Sequence, residues 1–296
     1  PIGDNSSDWH RVRKATAQFF GIDEASIPVN PKILDKIFDV LDANDYEATV
    51  VCYENEIIDV TKDAKPIGVA FDIGTTSVVC YVIDLVTGKE LSHSSMLNPQ
   101  SQFGADVIAR CEYAIANGVG ELSLAIRTGM NELISEACVK AKVSKQNVYV
   151  VTVAGNTCMH HLFMGITPKS LVHAPYNTTI NNEIVVDALD VGIEVNTGAK
   201  LQMLPNIAGF VGADTSAVLL ATAFDEIEDL TLVIDIGTNG EMVMGNKDHM
   251  VACSTAAGPA FEGAKIEMGM RGGRGAIDHV MLEDDGTILC SVIKNV

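Results

Sequence analysis

The sequence predicts an α/β protein in which two similar units face each other across a cleft, preceded by a small α+β unit. The first observation is a repeat. Ile67-Gly-Val-Ala-Phe-Asp72-Ile-Gly74-Thr75-Thr76 and Leu230-Thr-Leu-Val-Ile-Asp235-Ile-Gly237-Thr238-Asn239 are both apolar runs that end in Asp, turn at Gly-Thr and resume as a strand. Two such units indicate an internal duplication. The second observation is the order of elements, three strands followed by alternating helices and strands, and then three strands again. Such an order gives a mixed sheet covered by helices. The third is size and composition. A chain of 296 residues with 47% hydrophobic content and a mean hydropathy of +0.21 can bury the cores of about two domains.

Residues 1–65 form the first predicted unit. Asp8 to Phe20 reads as a helix, and Pro31 to Leu41 as a second, with Asn30 as N-cap and Pro at its first position. Ala48 to Tyr53 and Glu56 to Val60 read as paired strands, and the polar run ending at Pro66 as a turn. The first large unit covers 66–228. Its strands are expected at 67–73, 76–85 and 90–98, with helices at 103–117 and 121–142. In the second of these helices, Ile126, Met130, Leu133, Ile134, Ala137, Cys138 and Ala141 recur at helical spacing. A buried strand, Val148 to Val153, leads through Gly155-Asn156-Thr157 into a helix ending near Met164. An irregular insertion is expected near 165–200, then a strand at 201–204 and a helix from Asp214 or Thr215 to Phe224. The second large unit, 229–296, repeats the opening with strands at 231–236, 240–245 and 249–255. A Gly-rich segment from Gly258 to Gly275 and a final strand pair around Asp284 to Gly286 follow.

The paired turns suit phosphate chemistry. A strand interior does not tolerate an unpaired carboxylate, so Asp72 and Asp235 belong at strand ends, near water or a metal. Gly74 and Gly237 let backbone N–H groups approach a ligand closely. Thr75, Thr76 and Thr238 add hydroxyl donors, and successive N–H groups in a turn form an anion-binding nest. Carboxylates beside phosphates need a bridging cation, which implies Mg2+ held through water by Asp72 and Asp235. The bland alternative for each Asp is an Asx contact within its own turn.

Composition excludes several classes. A net charge of −19 and a pI near 4.6 oppose binding to nucleic acid or an anionic membrane. No apolar run approaches the ~18 residues of a membrane span, and Pro1 to Trp9 has no signal-peptide core. The seven cysteines are widely spaced and include no C-x-x-C, so no local zinc or iron–sulfur motif exists. Apolar neighbours such as Val51-Cys52-Tyr53 favour reduced thiols and a cytoplasmic setting.

The paired turns resemble those of the acetate and sugar kinase, heat-shock cognate and actin superfamily, whose two-lobed, ribonuclease-H-like fold holds the phosphates of ATP. Four further motifs narrow the likeness: Asp235-Ile-Gly-Thr-Asn-Gly-Glu241, Gly155-Asn-Thr-Cys-Met-His-His161, Ala208-Gly-Phe-Val-Gly-Ala-Asp214 and Ala257-Gly-Pro-Ala-Phe-Glu-Gly263. In this order they resemble the reductive activators of corrinoid-dependent proteins. The resemblance covers about 66–296, and residues 1–65 look similar to the end of the family's middle domain. It implies ATP-dependent reduction of a corrinoid protein from Co(II) to Co(I), with ATP and Mg2+ in the ATPase domain. The electron would come from a two-iron, two-sulfur cluster in an N-terminal ferredoxin domain. The partner implied is a corrinoid (cobalamin-binding) protein of a methyl-transfer system, and a homodimer is left open. The missing cysteine run and the end at Val296 read as a chain without the ferredoxin domain and with an incomplete second lobe. Two other readings stay open: a small-molecule kinase on the same fold, and a module that docks a corrinoid protein without hydrolysis.

The resemblance also assigns roles. Asp72 and Asp235 become metal holders, with Asp235 alternatively orienting the attacking water. Asp214 is either a helix N-cap or a carboxylate that polarises water against the γ-phosphate. Gly74, Thr75, Thr76, Gly237, Thr238, Asn239, Asn156, Thr157 and Gly258 line the nucleotide site. For Asn156 and Thr157 an ordinary helix cap is the competing role. Glu241 faces either the metal or the surface. His160 and His161 read as structural, because adjacent helical residues point about 100° apart. Arg271-Gly-Gly-Arg274 reads as a solvated loop.

Overall fold

The computed structural model describes residues 5–237, 239–256, 267, 269–270, 275–283 and 285–292. The N-terminal unit comprises α1 (Asp8–Phe20), α2 (Pro31–Asp42), β1 (Thr49–Tyr53) and β2 (Glu56–Thr61). Ser7 caps α1 and Asn30 caps α2, each accepting a backbone N–H of the first turn. The apolar stripe of α2, Ile33, Ile37 and Leu41, packs with Val12, Ile57 and Val60 into a small core.

The first large unit runs β3 (Ile67–Ile73), β4 (Ser77–Asp84), β5 (Glu90–Leu97), α3 (Val107–Asn117), α4 (Gly120–Ala141), β6 (Val148–Gly155), α5 (Thr157–Met164), β7 (Ile184–Asp187), β8 (Lys200–Met203) and α6 (Ala213–Ala221). Its six-stranded sheet has the order β5-β4-β3-β6-β8-β7. β6 lies parallel to β3 and β8, while the other pairs are antiparallel. The apolar face of α4 covers β4 and β5, burying Leu122, Ile126, Met130, Leu133 and Ile134 completely. Two boundaries depart from expectation. The helix expected from 103 begins at Val107, because Asp106 caps it and a short turn at Pro99–Gln102 precedes it. The last helix begins at Ala213 with Gly212 as its N-cap, so Asp214 lies inside the first turn.

The second unit opens with β9 (Thr231–Ile236), β10 (Asn239–Asn246) and β11 (His249–Ala256) as an antiparallel sheet. β12 (Ile277–Leu282) and β13 (Ile288–Val292) then form a hairpin. No described helix is long and apolar enough to cross a membrane.

The N-terminal unit is anchored on the first large unit by charge. Asp59, 2% exposed on β2, accepts from Lys36, from the Tyr149 hydroxyl at 2.9 Å and from Asn196 Nδ2 at 3.1 Å. Lys200 joins Glu56 at 2.6 Å to Asp187 at 2.7 Å, and Lys32 reaches Asp187 at 2.6 Å.

Candidate functional site

The first turn, Gly74–Thr76, is held from behind. Its three carbonyls each accept a hydrogen bond: Gly74 O from Asn98 Nδ2 at 2.7 Å, Thr75 O from Arg110 Nη2 at 2.7 Å and Thr76 O from Asn98 N at 2.9 Å. Arg110 and Asn98 are both buried, and Arg110 also donates Nε–H to Gly104 O at 3.0 Å. Burial pulls the Arg110 guanidinium below its ordinary pKa. Carbonyls tied on one side leave the peptide dipoles of the turn aimed the other way, as an anion nest requires. Glycine is needed at position 74, since a Cβ there would lie 2.8 Å from Ser77 O. Sequence reading missed Asn98 and Arg110 because neither belongs to a local motif.

Four carboxylates converge from both large units. Asp72 and Asp235 are the penultimate residues of β3 and β9, Asp214 is on α6, and Glu241 sits opposite Asp235 on β10. Asp72 is solvent-accessible, yet its carboxyl is pushed up by surrounding protein first and by the charge of Asp235 second. Asp214 is pushed up to about 6, by burial first and then by Asp235 and Asp72, against an opposing hydrogen bond from Thr215 N at 2.7 Å. Glu241, 6% exposed, is pushed up to about 7 by burial and by Asp214 and Asp235, while the Ser254 hydroxyl donates to it at 3.0 Å. The N-cap role considered for Asp214 and the surface role considered for Glu241 are both corrected. The cap is Gly212, and β10 turns Glu241 inward. Among the described residues no three His, Cys, Asp or Glu side chains form a direct metal-binding set.

Asn156 caps α5 through its Oδ1, which accepts Met159 N at 3.0 Å, and its Nδ2 donates to Thr75 Oγ1 at 3.0 Å. It thus does the ordinary capping job and also ties the helix to the first turn. Thr157 is buried and donates to Ala208 O at 2.7 Å, so its hydroxyl serves the Ala208–Gly212 loop. A Cβ on Gly212 would lie 2.5 Å from Thr157 N, so glycine lets the start of α6 abut the start of α5. Asn156, Thr157 and Asn239 line one small cavity of about 30 Å³, which joins the α5 N-terminus to the second turn. A larger groove of about 510 Å³ lies elsewhere, between α4 and Gly192–Glu194. Gly237 N–H donates to Asn239 O at 2.9 Å across the second turn. Thr238, Gly258, Ala257 to Gly263 and Arg271 to Arg274 lie outside the described residues.

His160 and His161 have separate partners. Burial lowers His160 to about 4, so it is neutral, and Asn206 pairs with its Nδ1. His161 donates Nδ1–H to Thr157 O at 2.7 Å and accepts Thr179 N–H on Nε2 at 3.1 Å.

The raised acids predict a pH dependence. Asp214 and Glu241 hold protons more tightly folded than unfolded, so their ionisation opposes folding. That penalty is absent below the ordinary carboxylate range and complete above about 7. The ligand-free chain should therefore melt higher at about pH 5.5 than at about pH 8, and Mg2+ should raise the melting temperature more at the higher pH. Thermal melts with and without MgCl2 at both values check this. Equal increments would mean that the carboxylates do not share one field.

An α/β unit and a second unit whose described elements are strands, each opened by a strand–Gly turn–strand hairpin beside shared carboxylates, define an actin-like fold of the acetate and sugar kinase, heat-shock cognate and actin class. Comparisons with known proteins narrow the class. Residues 2–65 match the RACo linker region, 67–227 the RACo middle region, and 229–296 the C-terminal domain of RACo, the ASKHA domain. The chain belongs to the RACo family of reductive activators for corrinoid proteins. It is 44% identical over 253 residues to the corrinoid activation enzyme RamQ of Eubacterium limosum, covering 82% of this chain and 42% of that protein. It is 29% identical over 225 residues to the [Co(II) methylated amine-specific corrinoid protein] reductase of Methanosarcina barkeri, covering 73% and 41%. A solved reductive activator for corrinoid, iron-sulfur protein superposes with a TM-score of 0.84 at 35% identity, over 99% of this chain and 48% of that one. The chain thus spans less than half the length of each of these relatives.

Proposed function

We propose that this chain supplies the ATP-binding and ATP-hydrolysing, partner-docking module of an activator that reduces a corrinoid protein from Co(II) to Co(I). The observation that carries this is the convergence of Asp72, Asp214, Asp235 and Glu241 from both units beside the two glycine turns. Like charges this close disfavour one another, and a cation relieves them. The residues fit Mg-nucleotide. Gly74, Thr75 and Thr76 would present N–H and hydroxyl groups to one phosphate, and Gly237, Thr238 and Asn239 to another, with Gly258 beside them. Asp72 and Asp235 would hold Mg2+ through its waters, since that ion keeps most of them. Such a cation would supply charge neutralisation for transfer of a γ-phosphate to water. Asp214, with its raised pKa of about 6, would be the group to accept a proton from that water.

The division of labour follows the family. Residues 66–228 and 229–296 are read as the two lobes, and 1–65 as the connection to the electron-donating part. Nucleotide can drive an uphill reduction only by binding one conformation more tightly than another. The corrinoid partner would dock on these lobes, and the two-iron, two-sulfur cluster would belong to another part of the protein.

Titration calorimetry of this chain with Mg-ATP tests the reading. Saturable binding that vanishes on chelation of Mg2+ is expected. Binding equal with and without Mg2+ would remove the carboxylate clamp, and phosphate transfer to a small-molecule acceptor in place of water would favour a kinase.

A further inference from the structure

Behind the first turn lies a pair of thiols that the proposed chemistry does not use. Cys111 on α3 and Cys158 on α5 are both buried, with their sulfurs 3.3 Å apart. Their chain neighbours are the supports of the turn. Arg110 precedes Cys111 and holds Thr75 O at 2.7 Å. Asn156 and Thr157 precede Cys158 and bind Thr75 Oγ1 and Ala208 O. Met159 follows Cys158, and its sulfur accepts from Arg110 Nη1 at 3.4 Å. The thiols therefore sit in the seam between the two elements that brace the turn. They also line the cavity of about 30 Å³ that Asn239 shares, which has room for a molecule of water or peroxide size.

We propose that Cys111 and Cys158 are a reversible dithiol–disulfide site for hydrogen peroxide, and that closing it loosens the first turn. The second half rests on the nucleotide reading above. The Cys111 thiolate attacks one peroxide oxygen and the O–O bond breaks. A sulfenic acid forms, and the other oxygen leaves as water after taking a proton. The Cys158 sulfur then displaces the sulfenic hydroxyl as a second water and the S–S bond forms. The thiols lose two electrons and two protons, and the peroxide is reduced to two waters. The hydrogen bond between the two thiols lowers Cys111 and, with burial, holds Cys158 up, which suits Cys111 as the attacking group. A disulfide needs sulfurs at about 2.05 Å, so the two sulfurs at 3.3 Å must close by more than an ångström, through side-chain rotation and approach of α3 and α5. Arg110, Asn156 and Thr157 move with them.

The test uses the full 296-residue chain with Cys253→Ser and Cys290→Ser, because those two cysteines are exposed and would react first. Hydrogen peroxide is added, and peptides are mapped by mass without reduction. The expected result is a linked 111–158 peptide, absent in Cys111→Ser and reversed by dithiothreitol. Cys158→Ala is the second control should serine disturb the buried seam. Mg-ATP affinity should fall about tenfold on oxidation and recover on reduction. Unlinked thiols at both positions, or a link from either to Cys80 or Cys138, would overturn the site. A linked pair with unchanged affinity would overturn the effect on the turn. If the reduced chain does not bind Mg-ATP, the nucleotide reading fails, and the peptide map still decides the thiol site.

Discussion

Asp235→Asn should weaken Mg-ATP binding about a hundredfold, near 2.7 kcal/mol, and at the same time raise the melting temperature of the ligand-free chain. The two effects have one cause. Asp235 lies opposite Glu241 across β9 and β10, and its charge raises Asp72, Asp214 and Glu241. Removing that charge relieves repulsion in the apo protein and removes attraction for a cation. Asparagine keeps the size and the Asx hydrogen-bonding capacity of aspartate, so a merely turn-stabilising residue would show neither change. Calorimetry and thermal melts on the same preparations separate the cases. A variant that melts lower and binds as tightly as the parent would return Asp235 to a structural role. Asp72→Asn should follow the same pattern, with a smaller gain in stability because Asp72 is solvent-accessible.

Asp59→Ala should destabilise the chain by about 3 kcal/mol, the largest effect expected far from the cleft. Asp59 is almost wholly buried and receives Lys36 from its own unit, and Tyr149 and Asn196 from the neighbouring one. Alanine leaves the Tyr149 hydroxyl without its acceptor in the interior. Asn196 Nδ2 retains the Gln146 carbonyl at 2.8 Å as its acceptor. Asp59→Asn should lose less, since an acceptor remains. Denaturant midpoints measure the difference, and limited proteolysis near residues 62–66 should quicken in Asp59→Ala. A shift below about 1 kcal/mol with unchanged proteolysis would show that apolar packing alone seats the N-terminal unit.

Much of the fold was legible because its signals are local. The run Ile67–Ile73, the stripe Ile126 to Cys138 and the caps at Asn30 and Asn156 depend on neighbours within a turn or two of chain. The helix after Gly212 was misplaced by a residue or two because Asp is a better N-cap than Gly, and only the close approach of Gly212 to Thr157 fixes the true start. The start of α3 was misread for a similar reason. Phe103 looks apolar enough to open a helix, but the chain needs Gly104 to pass the first turn of α3, where a Cβ would lie 2.7 Å from Arg110 N.

The same division holds for the site. The sequence by itself determined the duplicated hairpins, their glycines and the two strand-end carboxylates Asp72 and Asp235, because a repeated local pattern is visible without coordinates. The tertiary structure alone decided that Asp214 and Glu241 join them, that Arg110 and Asn98 brace the first turn, and that Thr157 spends its hydroxyl on a loop. It also decided that Asp59 fastens the N-terminal unit. Those facts join residues far apart in the chain, and Coulomb interaction and hydrogen bonding depend on distance in space, which residue spacing does not encode.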